Sequence, residues 1–314
     1  MKRNLVYAVL MTALALTAGV LILQLRPPSQ PAAPQPIIQY ATEQSAASYD
    51  EVTQISVLTE NGTRTMSLHA YLLGVLPAEM PTSFAMEAQK AQAVAARTFT
   101  LKITAGGKHD GAICTDSHCC QAWLDPETLT DDARSVAEAA ISQTDGSVLE
   151  YQGKLIDALF FSCSGGRTED AVAVWGNDVA YLQSVESAGE EDAAVFSDEK
   201  RVSREELEAA FGPLPDDTDR WFGNIERTQG DGVATIQIGE ETYTGVEVRK
   251  ALSLRSTNFT VEVDDGEAVF STLGYGHRVG MSQYGANAMA QSGADYEEIL
   301  HHYYQDVTIN HRRA

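Results

Sequence analysis

The sequence predicts an α+β body in which helices surround a proline-bracketed corner, Pro77-Ala78-Glu79-Met80-Pro81, with a strand-rich subdomain inserted near residues 200–265. Three observations carry this. Residues 85–102 are rich in alanine (Ala88, Ala91, Ala93, Ala95, Ala96) and read as one close-packing helix. Runs of alternating or apolar residues at 52–58, 147–151, 155–161, 233–238 and 259–263 read as strands separated by turns such as Asn61-Gly62, Gln152-Gly153 and Asp265-Gly266. Hydrophobic residues make up 44% of 314 residues, enough for a real core.

Each element has a local reason. Asn61-Gly62 is a tight-turn pair, so 52–58 and 63–66 form a hairpin. Ser67 can cap a helix that starts beyond it. Pro77 and Pro81 remove donors and push the residues before them out of helical geometry, so a fixed non-helical corner is expected between two helices. Helices are also expected at 130–143, 199–212, 285–291 and 296–304, the last capped by Asp295, with a helical turn within 243–254.

The amino terminus predicts location. Lys2 and Arg3 precede an apolar run over residues 5–25, close to the roughly 20 residues that span a bilayer. Residues 1–26 are therefore expected to be a cytoplasmic tail and an uncleaved single-pass membrane anchor. Residues 27–50, rich in proline, alanine and glutamine, form a stiff spacer, and residues 51–314 form a body outside the cell membrane. The net charge of −22 repels phosphate backbones and argues against nucleic acid as a partner.

Four clusters carry candidate chemistry. Glu79 sits beside apolar neighbours, where a raised pKa would suit proton transfer to and from a sugar–sugar linkage; spacing alone favours an ordinary surface glutamate. His109, Cys114, His118, Cys119 and Cys120 fall within twelve residues, a donor set that suits tetrahedral Zn2+, with disulfide pairing or free thiols as the competing readings. The stretch FSCSGGRTED, Phe161 to Asp170, precedes Trp175 and Tyr181, which could stack on sugar rings or simply fill a core. The glycine-rich stretch GYGHRVGMSQYGA, from Gly274, has His277 and Gln283 as donors that could line a cleft.

Taken together, LLGVLPAEMP, FAMEAQKAQAVAARTFTL, a Cys/His loop ending CQAW, FSCSGGRTED, VWGNDVAYLQSV, LRSTNF and GYGHRVGMSQYGANAMA resemble, in order and over nearly the whole body, the stage II sporulation protein D (SpoIID) family. The resemblance implies a lytic transglycosylase that acts on peptidoglycan glycan strands stripped of stem peptides during spore engulfment, with Glu79 as the acid/base. It implies structural Zn2+ on His109, Cys114, Cys119 and Cys120, with His118 as a possible replacement for one of them. Tyr181 matches a family tyrosine near substrate, and Lys90, Arg97, Ser164, His277 and Gln283 are supporting substrate-binding candidates. The implied partners are a SpoIIP-like amidase and a SpoIIM-like membrane protein. Arg278 stands where glycine is common in the family. A non-catalytic cell-wall binder that enhances an amidase is the alternative on the same fold.

Overall fold

The computed structural model describes residues 47–314, and these form a mixed α+β body built on one central helix, Met86–Ala105. That helix is buried nearly all round. Ala93 and Ala96 face a core with Leu68, Tyr71, Leu72, Leu76 and Ile141, while Ala88, Ala91, Val94 and Ala95 face a second core with Leu149, Met281, Ile299 and Tyr303. Small side chains let helices Leu68–Glu79, Asp131–Gln143, Gln283–Gln291 and Tyr296–Tyr303 approach it closely. The alanine stripe thus does what its composition predicts.

The amino-terminal hairpin forms as expected. Strands Gln54–Thr59 and Gly62–Ser67 pair antiparallel, and Ser67 caps the next helix by accepting the Ala70 N–H at 3.1 Å. A third strand, Ala112–Cys114, adds parallel to the first, which fixes the start of the Cys/His loop to a sheet.

Several expectations need correction; the helix expected at 199–212, for one, is a strand over Ser197–Val202 followed by a helix over Arg204–Phe211. The helix that starts at Leu68 does not stop before Pro77; it runs on through it to Glu79. Proline in the last turn forfeits one ladder bond, and the burial of Tyr71 to Leu76 outweighs that loss. Only Met80, immediately before Pro81, leaves helical geometry (φ −128°, ψ 135°). The hairpin around Gln152-Gly153 is also shorter than predicted. Ser147–Tyr151 returns only as Lys154–Leu155; Phe160–Phe161 pairs instead, in parallel, with Met281–Ser282. The other edge of Ser147–Tyr151 is taken by Thr308–His311 near the carboxyl end.

Residues 197–273 hold two three-stranded sheets, one ordered Phe222–Arg227, Val233–Ile238, Glu241–Thr244, and the other Phe259–Asp264, Glu267–Leu273, Ser197–Val202. They share a core of Trp221, Ile236, Val248, Phe259 and Phe270. Helices Arg204–Phe211 and Gly245–Ala251 each begin with a reciprocal Ser or Thr and Glu capping box.

The membrane location expected from the amino terminus is withdrawn. Among the described residues no helix is long and apolar enough to cross a membrane, and residues 1–26, on which that expectation fell, lie outside the described residues, as does most of the proline-rich spacer.

Candidate active site and metal centre

Glu79 is the last residue of its helix and opens into a cleft of about 650 Å3. Phe99, Ile103, Trp175, Tyr275 and His277 line this cleft together with the Cys119–Gln121 segment. Glu79 is the single carboxylate among the lining residues. One of its oxygens accepts the Ala122 N–H at 2.5 Å. Burial pushes its carboxyl above the ordinary value, and the Ala122 hydrogen bond, which favours the charged form, opposes that only in part. The negative end of the helix dipole acts in the same direction as burial.

The Ala122 amide is held in place from several sides. Gln121 is buried, and its Oε1 accepts the Thr100 hydroxyl at 2.9 Å and the Tyr71 hydroxyl at 3.3 Å. The Leu124 N–H donates to the Gly74 carbonyl at 3.1 Å. That contact depends on the missing side chain at Gly74, because a Cβ there would overlap the Leu124 carbonyl and the Trp123 ring. Gly74→Ala is expected to push residues 121–124 away from the Glu79 helix. The overpacking should lower stability by about 1–3 kcal/mol in thermal unfolding, and should lower activity together with it.

The Cys/His loop is gathered into a metal-sized cluster. Donor atoms of His109, Cys114, Cys119 and Cys120 all lie within 4.8 Å of one another, and none of the chain's four cysteines is in a disulfide. Cys119 and Cys120 are turned inward by a turn in which both their N–H groups donate to the Asp116 carbonyl, at 3.0 and 2.7 Å. The Cys119 thiol is drawn below its ordinary value by the hydrogen bond with Cys114 and by the Lys108 ammonium. His118 stays outside the cluster: its side chain is 94% exposed and meets Asp116 at 3.3 Å. The four residues expected from the sequence are therefore the four brought together.

The glycine-rich segment forms the facing wall. The His277 ring lies 5.6 Å from Phe161 and 5.5 Å from Trp175. Its Nδ1 accepts the Val279 N–H at 3.1 Å, which leaves the proton of the neutral ring on Nε2. Burial, and then the nearby Arg249 charge, push its pKa down to about 4, so the ring is neutral at ordinary pH. Arg278 adopts a left-handed backbone (φ 68°). Its buried guanidinium donates to the carbonyls of Ser164 at 2.8 Å, Arg167 at 2.8 Å and Gly230 at 2.5 Å. Arg278 is thus a staple joining three segments.

Of the residues expected to bind substrate, His277 and the candidate sugar-stacking Trp175 line the Glu79 cleft, and the others do not. Arg97 is fully buried and clamps Asp50 through Nε at 2.9 Å and Nη2 at 2.5 Å, with Nη1 on the Ser147 carbonyl at 3.1 Å. Ser164 is buried and donates its N–H and hydroxyl to Glu190 at 2.7 and 3.0 Å, with the Cys163 thiol at 3.0 Å on the same oxygen. The FSCSGG turn thus wraps an internal carboxylate. Lys90 pairs with Glu87 at 2.8 Å and lies over the Tyr296 ring. The Tyr181 hydroxyl donates to Asp157 at 3.1 Å, and Asp157 also pairs with Lys102 at 2.6 Å. Gln283 is buried at the start of its helix. Asp50, Gln121, Ala122 and Glu190 escape sequence reasoning because each acts through a partner distant in the chain; only the position of Gln121 and Ala122 in the CQAW motif pointed toward them.

The family model described as "Stage II sporulation protein" (SpoIID) matches residues 59–151, which include Glu79 and the whole Cys/His loop. The chain is 36% identical to the stage II sporulation protein D of Bacillus amyloliquefaciens, over 77% of this chain and 74% of that protein. It is 33% identical to the Bacillus subtilis protein of the same name, over 79% and 75%. It is also 28% identical to a Bacillus subtilis protein named amidase enhancer, over 76% of this chain and 40% of that protein. With this identity extending over three quarters of both sporulation proteins, the chain belongs to the stage II sporulation protein D family.

Proposed function

We propose that this protein cleaves the glycan strands of peptidoglycan by lytic transglycosylation, with Glu79 as acid and then base. The observation that carries this reading is the lone carboxylate, raised in pKa, in an aromatic-lined cleft. Glycosidases that use water or a covalent intermediate need two carboxyl groups across the scissile bond. A single one suffices where the substrate supplies the nucleophile. Protonated Glu79 gives its proton to the glycosidic oxygen leaving N-acetylmuramic acid. The resulting carboxylate takes the proton of the muramic 6-hydroxyl, whose oxygen closes on the anomeric carbon. The bond to N-acetylglucosamine breaks, a 1,6-anhydro sugar forms, and no water is consumed. Trp175 and Tyr275, 48% and 46% exposed, offer flat faces for sugar rings.

His109, Cys114, Cys119 and Cys120 fit Zn2+. Three thiols and an imidazole make a closed tetrahedral set. His109 and Asp110 hold left-handed backbones (φ 49° and 57°), a strain that persists only where something fixes the loop. Bound there, zinc would supply structural cross-linking. The chain's own contribution is to carry that rigidity from Cys120 through Gln121 to the amide that touches Glu79. Chelation is expected to expose the cluster thiols to a thiol reagent and lower the melting temperature, with both changes reversed by added zinc.

The similarity to a protein named amidase enhancer favours a second reading, in which the cleft binds cell wall without cutting it. Digesting strands stripped of stem peptides and weighing the products decides between them. The first reading expects anhydro-ended fragments from the wild type and at least about 100-fold fewer from Glu79→Gln; the second expects none from either. A SpoIIP-like amidase that removes stem peptides is the reaction that would supply the substrate.

A further inference from the structure

A second pocket, of about 520 Å3, adjoins the Glu79 cleft and shares His118 and Tyr275 with it as walls. Its remaining lining comes from the strand-rich region: Val246, Arg249, Lys250, Ser253 and Leu254. Lys250 is an exposed cation in the last turn of helix Gly245–Ala251, an ordinary place for one. Arg249 is different. It is half-buried, and among the described residues no carboxylate lies within ion-pair distance of its guanidinium and no hydrogen bond engages it. Burial pushes its pKa down, and the groups that face it are the neutral His277 ring and the Tyr275 phenol. Arg255 also approaches Tyr275, 5.7 Å from the ring centroid, and pairs with Asp198 at 3.0 Å, yet its Nη1 is buried without a partner. On a chain of net charge −22, a partly dehydrated and unpaired guanidinium at the edge of the catalytic cleft is a local reversal of the prevailing field.

We propose that Arg249 is a specificity residue that receives the free lactyl carboxylate of an N-acetylmuramic acid unit bound next to the scissile linkage. The inference rests on the glycan-cleaving reading above and adds to it the side chain that senses the substrate's state. In a strand that still carries stem peptides this carboxyl is an amide, with no charge for a guanidinium to meet. In a stripped strand it is an anion suited to a two-pronged hydrogen bond. A lysine would offer the charge without the fork.

The test is equilibrium binding to the full chain bearing Glu79→Gln, so that no strand is cut. The probes are fluorescently labelled stripped strands and the same strands with their carboxyls blocked as methylamides. Blocking is expected to weaken binding about tenfold or more. Glu79→Gln/Arg249→Met should bind both strands equally at the weakened level, with Arg249→Lys between. The inference is overturned if blocking changes nothing in the Arg249-containing protein, an arm that does not depend on how a second variant folds. It is overturned too if Arg249→Met keeps the full preference, or if a glycerol-phosphate polymer displaces the strands while carboxyl blocking is without effect. Failure to bind either strand would instead sink the glycan reading itself.

Discussion

Glu79→Gln is expected to lower the release of anhydro-ended fragments by about 100- to 10,000-fold, the range for removing a general acid/base. The fold should be undisturbed, because the amide oxygen of glutamine can still accept the Ala122 N–H. Stability should respond in the opposite sense to activity. A carboxyl whose pKa is raised in the folded state holds its proton there when the unfolded chain has already released it. Wild-type stability therefore falls as pH rises from the ordinary glutamate value through the raised one. Glutamine has no such dependence. The variant should melt higher than the wild type above that window, and the gap should close as pH drops below the ordinary value. Melting curves across pH would expose an unshifted Glu79 as a gap that does not change. In the wild type, the rate should decline as pH climbs past the raised pKa, since the first step needs the protonated acid.

Arg97→Leu should be the most damaging change to stability. It would leave the fully buried Asp50 carboxylate without its guanidinium, and breaking one half of a buried pair typically costs about 3–5 kcal/mol. For a body of this size that corresponds to a fall in melting temperature of roughly 6–20 °C. The loss should be local in origin. Asp50 lies in the short Tyr49–Val52 helix, whose first turn is also tied to Asp145 through Ser48 at 2.7 Å and the Tyr49 and Asp50 N–H groups, both at 2.9 Å. Arg97→Leu combined with Asp50→Leu should recover part of the loss, because no charge is then stranded. A double variant as unstable as the sum of the singles would show that the pair is not coupled.

These two residues mark what a sequence can and cannot reveal. The alanine helix, the first hairpin and the strands at 233–238 and 259–264 were legible because each depends on neighbours in the chain, through side-chain spacing, a turn pair or a capping serine. The Cys/His cluster was legible because its donors are local, and the structure separates His118 from the four that converge. Arg97 was misread as a substrate contact because its partner lies 47 residues away. Ser164 was misread for the same reason, since Glu190 occupies an unremarkable acidic run. The corner at Glu79 was misjudged in geometry, since two prolines outweighed, on paper, the packing that keeps the helix going. The acid/base role proposed for it was suggested only by the resemblance.

Arg278 has a consequence for how such proteins can be recombined. A relative with glycine at this place has no side chain to satisfy the carbonyls of Ser164, Arg167 and Gly230, so these must be served there by other donors. A chimera joined between residues 167 and 278 would separate the guanidinium from acceptors that fit it, leaving inward-facing oxygens bare on one parent's side and a stranded cation on the other's. Segments are best exchanged as a block that keeps 164–278 together, which makes the strand-rich region and the glycine-rich wall a single heritable unit.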